Sequence, residues 1–565
     1  MLSTKSLLKF TLLGIVAFLI IAPGGQNHAT FARQAQAQDQ MLADSGFRPD
    51  KNGFGFENYG NSNKPVNLTP ADVRALFGDQ VCGAVNGDTC TLIPPAQQWM
   101  DELNNGMDGG HCDGMAAVSL LMYSGKLKPS DYGQDSIVAL PFTGNDKLTR
   151  TIAYYFSTQT TAPSYSGIVE GTPSEIVNRL IDAFKNNTEQ YAVSLRKRDN
   201  TGGHAITPYA IVDKGNNIVW IMVYDNNFPK AERYIEVDRG ANTWKYTAST
   251  NPNEPSALYE GDADTKTLRL KPMSPRLQQQ ICEFCAAKAA SQAPEMVKAI
   301  LSNKVSARVS VKSSYFADTS VQYNEIMLQP HQADNKAQLL ITDDQGHKLG
   351  FQGGKLYTEI PGAVVTDVDS ADLFTDNPSP VYRVPVGIKF TVTIDGSLIK
   401  QTELTDISMF GPGYDLAVED IKVDPGDADT MTFSPDGKQI SYKPSASEAP
   451  TIVLGIEHSG ADYEFELTGA TIEKGAAINA SLDYDTGRLG IHVSGGQNAS
   501  TYGLVVRRID SAEETFGHDG LSLDSGATDY VEFAKWDGKG DMPLSISSKS
   551  DGTIDKTATA PNDKK

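Results

Sequence analysis

Positive charge is scarce in this chain. Lysine and arginine number 49 against 70 aspartates and glutamates, for a formal net charge of -21. A surface of that sign repels phosphate backbones and anionic membrane, so it argues against nucleic acid as a partner and favours solubility outside the cell. Long apolar runs are scarcer still. One lies near the N-terminus, from Phe10 to Ala22, behind Lys5 and Lys9 and ahead of Ala35-Gln36-Ala37. It is short of the ~20 residues that a spanning helix needs. The order basic, apolar, small is that of a secretory signal, expected over residues 1–37. An uncleaved N-terminal anchor is the alternative. The mature chain is expected to be secreted and, after signal cleavage, to make no membrane contact.

Histidine is also rare, with eight in all, and between residues 38 and 300 only His111 and His204 occur. A general base therefore has few candidates. Cysteine is limited to five: Cys82, Cys90, Cys112, Cys282 and Cys285. In an oxidising compartment cysteines tend to pair. Cys82 and Cys90 flank a turn-rich loop, and Cys282 and Cys285 form a C-x-x-C. Disulfides Cys82–Cys90 and Cys282–Cys285 are expected, leaving Cys112 as an odd thiol. A redox role for the C-x-x-C is disfavoured because no βαβ pattern leads into it. Zinc on the four paired cysteines is disfavoured by the Cys82–Cys90 spacing.

The rest of the composition is that of a globular protein, 39% hydrophobic and 21% charged over 565 residues. That length implies about three or four domains. Residues 38–68, rich in Gly, Asn and aromatics, read as an irregular arm. Residues 69–272 read as one domain. Thr69-Pro70 opens a helix that stops before Gly78. Further helices are expected from Pro95 to Met107, from near Cys112 to Tyr123, and from the capping box Thr172-Pro173-Ser174-Glu175 to Lys185. Strands follow at Tyr191–Leu195, His204–Val212, Ile218–Asp225 and Arg233–Val237. Residues 273–304 read as a helical segment carrying the C-x-x-C. From Val305 the pattern is β, expected as a β domain over 305–405, a β-sandwich over 406–547 and a disordered tail over 548–565. The fold class is thus α+β followed by all-β, sandwich-like domains.

One stretch carries chemistry. In Gly109-Gly110-His111-Cys112-Asp113-Gly114-Met115 a glycine loop runs into an apolar helix, with the cysteine at its start. Only the thiolate attacks, and a helix N-terminus favours the anion. Downstream, Gly202-Gly203-His204-Ala205-Ile206 opens a strand, and the next strand ends in Tyr224-Asp225-Asn226-Asn227. If the two form a hairpin, His204 and Asp225 share one end of it, where the imidazole could take the thiol proton and the carboxylate fix its tautomer. His111 reads as a loop or supporting residue, since adjacent helical positions do not face each other. A metal site of His111, Cys112, Asp113 and His204 is the lesser reading, and no metal or cofactor is expected.

The order Cys at a helix start, His on a strand, Asp or Asn on the next strand resembles the papain-like superfamily, with its transglutaminase-like branch. The match covers roughly residues 80–240. Gly110–Ala116 and Gly202–Ala210 are also similar to secreted bacterial proteins with β domains behind. The resemblance implies a papain-like fold for residues 69–272, with Cys112 as nucleophile, His204 as base and Asp225 as orienting acid. It implies a cysteine hydrolase or acyl-transferase that acts on a protein or peptide through a thioester. It departs from papains at the oxyanion residue. Gln98 and Asn105 are the upstream amides, the Cys112 N–H is one donor, and Asn226 could stand in for Asp225. The alternative is a non-enzymatic surface or adhesion protein on an inactive scaffold. The β domains are then expected to contact a cell surface or glycan.

Overall fold

The computed structural model describes residues 39–564 except 199, 201, 249–256, 286–321, 332–335, 370–378, 458–459, 497–498 and 550. The expected signal segment and the strand expected over residues 305–311 lie outside these. An α+β part precedes an all-β part, as expected. No helix among the described residues is long and apolar enough to cross a membrane.

The α+β part holds ten strands: β1 Gln40–Asp44, β2 Cys82–Asn86, β3 Thr89–Leu92, β4 Tyr191–Leu195, β5 His204–Gly215, β6 Ile218–Tyr224, β7 Arg233–Asp238, β8 Thr243–Ala248, β9 Ala257–Asp262 and β10 Leu268–Pro272. Its helices are α1 Pro49–Asn52, α2 Pro70–Phe77, α3 Pro94–Gly106, α4 Cys112–Tyr123, α5 Asp146–Ser157 and α6 Pro173–Asn186. Eight strands form an antiparallel sheet in the order β10-β4-β5-β6-β7-β8-β9, and β1 also pairs with β5. The long β5 serves two partners on one edge: β4 at its start, with Leu195 opposite His204, and β1 further along, with Ala43 opposite Ile211. Residues 39–68 are mostly without regular structure, as expected, but they are integrated into the fold. They contribute a strand and the buried rings of Phe47, Phe54 and Tyr59. Apolar residues drive that docking by leaving water, although they lack the periodicity that marks an element in sequence.

α4 is apolar on all sides and buried from Cys112 to Met122. Gly114 lets α5 approach: a Cβ there would lie 2.2 Å from the Ile152 carbonyl oxygen. α2 and α6 both begin at proline after a threonine in a capping box, which fits the cap chemistry of their sequences.

Beyond residue 322 the chain forms two antiparallel sheets of nine and eleven strands. One apolar core, running from Ile326 to Ala560, lies between them. The expected boundary at 405/406 falls inside the strand Glu403–Gly411, which sits between Tyr323–Pro330 and Tyr414–Val423. Alternate residues of the nine-stranded sheet face opposite ways. Ile326 and Met409 enter the sandwich core, whereas Met327 and Phe410 join Phe77, Trp99 and Phe284 of the α+β side. Two other expectations are corrected. The described part of residues 273–304 has a single 3-10 turn, Ser274–Leu277, because Gln280 and its neighbours bond to α2 and the loop at residue 162 instead of to one another. Within residues 548–565, Lys556–Ala560 is a strand paired with Met542–Ser547. Its polar side chains are mostly exposed, and the backbone ladder holds it.

Both expected disulfides are present, Cys82–Cys90 and Cys282–Cys285, and Cys112 is the free, buried cysteine.

Candidate active site

Cys112 is the first residue of α4, after Gly110, whose φ of 133° suits glycine. His204 is the first residue of β5, and Asp225 follows the last residue of β6. The hairpin register, Thr207 opposite Tyr224, brings His204 and Asp225 to the same end. His204 Nε2 lies 2.8 Å from Asp225 Oδ1. A carboxylate only accepts, so Nε2 carries a proton. Nδ1 is buried and has no hydrogen-bond partner. The Cys112 sulfur accepts the Ala205 N–H at 3.3 Å, one residue from His204.

Asp225 is held on both oxygens. Tyr246 donates its hydroxyl to Oδ2 at 2.5 Å, and the Asn227 N–H donates to Oδ1 at 2.9 Å. Burial pushes the carboxyl up. The charge and hydrogen bond of His204 outweigh this, with help from Tyr246 and Asn227, and hold it below the usual carboxylate range. Tyr246 in turn accepts from Arg233 Nε at 2.9 Å, and that guanidinium lies 4.1 Å from the Phe228 ring.

Asn226 ties the two halves of the site together. Its Nδ2 donates to the carbonyls of Cys112 and Ala205, each at 3.0 Å. Asn58 closes the other side: its Oδ1 accepts the His111 N–H at 2.8 Å, and its own N–H donates to the Asn226 carbonyl at 2.9 Å. His111 faces away from the thiol. Its Nδ1 is 2.7 Å from the Tyr59 carbonyl, its Nε2 is 3.0 Å from the Asn67 amide, and it stacks on Tyr59. Burial pushes its pKa down to about 4, against the Tyr59 carbonyl, so the ring is neutral. Asp113 is bound by Lys271 Nζ at 3.0 Å and by Arg276 at 2.5 and 3.0 Å. A metal on His111, Cys112, Asp113 and His204 would have to break these bonds. Among the described residues, His331, Asp406 and Asp420 bring ligand atoms within 4.8 Å of one another. They share no residue with the thiol site.

Cys112 is 0% exposed and His204 2%. Burial pushes the thiol pKa well up, and the Asp369 carboxylate adds to this, against the Ala205 N–H and Lys271. The thiol is therefore neutral as it stands. A pocket of about 580 Å³ opens beside the site, lined by Phe56, Asn58, Tyr59, Phe142, Pro229 and Lys230.

Cys112, His204, Asp225 and Asn226 come together, and His111 stands behind them. Gln98 and Asn105 do not join them. Gln98 bonds Glu102 of its own helix and Glu419 of the nine-stranded sheet, and Asn105 is exposed. Asn58 and Tyr246 belong to the site and were not foreseen. Inward alternation of Trp244 and Tyr246 was the available signal for the second. Comparison with protein-family models, with curated proteins and with solved structures finds no match.

Proposed function

We propose that this protein is a thiol enzyme of papain-like architecture, a hydrolase or acyl-transferase acting on amide bonds of a protein or peptide. The observation that carries this reading is the placement of His204: Nε2 is committed to Asp225 and a buried, unpartnered Nδ1 remains on the residue next to the Cys112 contact. In the proposed reaction Nδ1 takes the thiol proton as sulfur bonds to the carbonyl carbon. The tetrahedral intermediate collapses as the C–N bond breaks, and the amine leaves with the proton from Nδ1. Water or a second amine then resolves the thioester. The Cys112 N–H at the start of α4 is the oxyanion donor in this scheme. Two disulfides support export to an oxidising compartment.

The experiment is iodoacetamide labelling of the intact protein. Cys112 is expected to label, and at least about tenfold more slowly in His204→Ala. Labelling that is indifferent to His204 would sink the reading. Complete burial of the thiol favours a second reading, a binding module on an inactive scaffold. That reading predicts no labelling under native conditions and unchanged biological activity in Cys112→Ala.

A further inference from the structure

Asp367, Val368 and Asp369 follow the edge strand Val364–Thr366 of the nine-stranded sheet. Their partners, however, lie in the α+β part. Asp369 Oδ2 stands 2.6 Å from Lys271 Nζ, and its Oδ1 stands 3.1 Å from Arg196. The Asp369 N–H donates to Gln159 Oε1 at 2.8 Å, and Arg196 donates to the Val368 carbonyl at 2.9 Å. Arg269 reaches Asp367 at 2.5 Å.

The strap lies against the nucleophile's surroundings. A Cβ on Gly203, the residue before His204, would meet Asp369 Oδ1 at 2.5 Å and the Val368 carbonyl oxygen at 2.8 Å. Lys271 Nζ bridges Asp369 to Asp113, the neighbour of Cys112. Arg196 and Lys271 sit at the β4 and β10 side of β5, whereas the pocket with Pro229 and Lys230 lies on the β6 side.

Arg196 is 2% exposed and Lys271 4%. Cations this deep persist only when paired. Among the described residues, the carboxylates paired with Arg196 are Asp367 and Asp369, both from the strap. Lys271 also pairs with Asp113 and Arg269 with Glu170, so within this cationic wing beside the thiol it is Arg196 whose neutralisation is left to a segment of another sheet.

We propose that Asp367-Val368-Asp369 is an internal stand-in for substrate. The wing of Arg196, Lys271 and Arg269 receives an acidic peptide segment, and the strap, by occupying it, slows the reaction of Cys112 until it is displaced. This rests on the reading of Cys112 as a nucleophile. The strap acts in two ways: it excludes solvent and reagent, and the Asp369 carboxylate disfavours the thiolate. With that carboxylate gone, Lys271 and Arg196 favour the anion.

The test compares iodoacetamide labelling of Cys112 at pH 7.5 in the full-length protein and in Asp367→Asn/Asp369→Asn. At least about tenfold faster labelling is expected, the change that one unit in thiol pKa brings. Arg269→Gln, at the outer end of the cluster, should act in the same direction and serves if the double variant does not fold. Acetyl-Asp-Val-Asp-amide should then slow labelling of the variant, and acetyl-Asn-Val-Asn-amide should not. Wild-type rates in folded strap variants, or equal effects of the two peptides, would overturn the proposal. Fast labelling in the double variant that ignores a further His204→Ala change would support the strap and remove the thiol–imidazole reading instead.

Discussion

The Asp225 carboxylate both orients His204 and anchors Tyr246, so its charge and its shape can be separated by mutation. Asp225→Asn removes the charge and keeps the shape, since the Asn227 N–H still directs an amide oxygen to Nε2. Labelling of Cys112 is expected to fall, but less than in His204→Ala, with little change in melting temperature, as measured by thermal denaturation alongside the labelling rate. Tyr246→Phe removes one charge-assisted bond from a buried carboxylate. It should cost about 1.5–3 kcal/mol by denaturant unfolding, while His204 keeps its tautomer and labelling persists. Cys112, His204 and Asp225 were legible because each sits at the end of an element whose boundary glycine, turn or period is written locally. Asn58 and Tyr246 were not. Each reaches the site through pairing with distant residues, Asn58 with Asn226 and His111, Tyr246 with Asp225, and no local pattern carries such a register.

α3 docks on the nine-stranded sheet through carboxyls as well as through Trp99. Glu102 on the helix bonds to Ser408 of the sheet, with Gln98 Nε2 at 3.0 Å. Asp406, Asp415 and Glu419 project from the sheet nearby, and Asp415 has both oxygens buried and unpartnered. Gly455 makes that fit, since a Cβ there would lie 2.6 Å from Pro94 at the start of α3. Burial, against the bonds from Ser408 and Gln98, pushes Glu102 up to about 7, and burial does the same for Glu419. Folded-state values raised above the unfolded ones mean that the folded state binds the extra protons. This contribution to stability is complete below about pH 4 and is lost as the pH rises through about 7. Hydrogen-exchange protection factors along α3, with the intrinsic pH dependence of exchange divided out, are expected to fall between pH 5 and pH 8, and Glu102→Gln should flatten that dependence. Protection factors that do not change with pH in the native protein would contradict this. Elements with strong end signals, such as α2, α4 and α6, were readable. α5 was missed although Leu148, Ile152 and Phe156 recur at helical spacing, and the helical segment expected over residues 273–304 lost its described part to tertiary hydrogen bonds.

The whole β part is a single sandwich with one core, so its halves cannot be separated where a turn interrupts the sequence. A chain ending at Thr405 would strip Glu403–Gly411 of its place between two neighbours and leave the apolar face of Tyr323–Pro330 uncovered. Such a chain is expected to show no cooperative unfolding transition by circular dichroism, whereas two autonomous domains would leave residues 305–405 folded. Sequence could not reveal this unity, because strands that alternate between two sheets look the same as strands of successive domains. The shared cluster of Phe77, Trp99, Phe284 and Phe410 extends the same unity to the α+β part. The clamp made by Asn226 has a mechanical meaning in this setting. One amide holds the carbonyl of the residue that bears the sulfur and the carbonyl of the residue after the imidazole. The spacing between the backbone at the start of α4 and the backbone at the start of β5 is thereby set. The two elements cannot be drawn apart like the jaws of a hinge unless this amide lets go of one carbonyl.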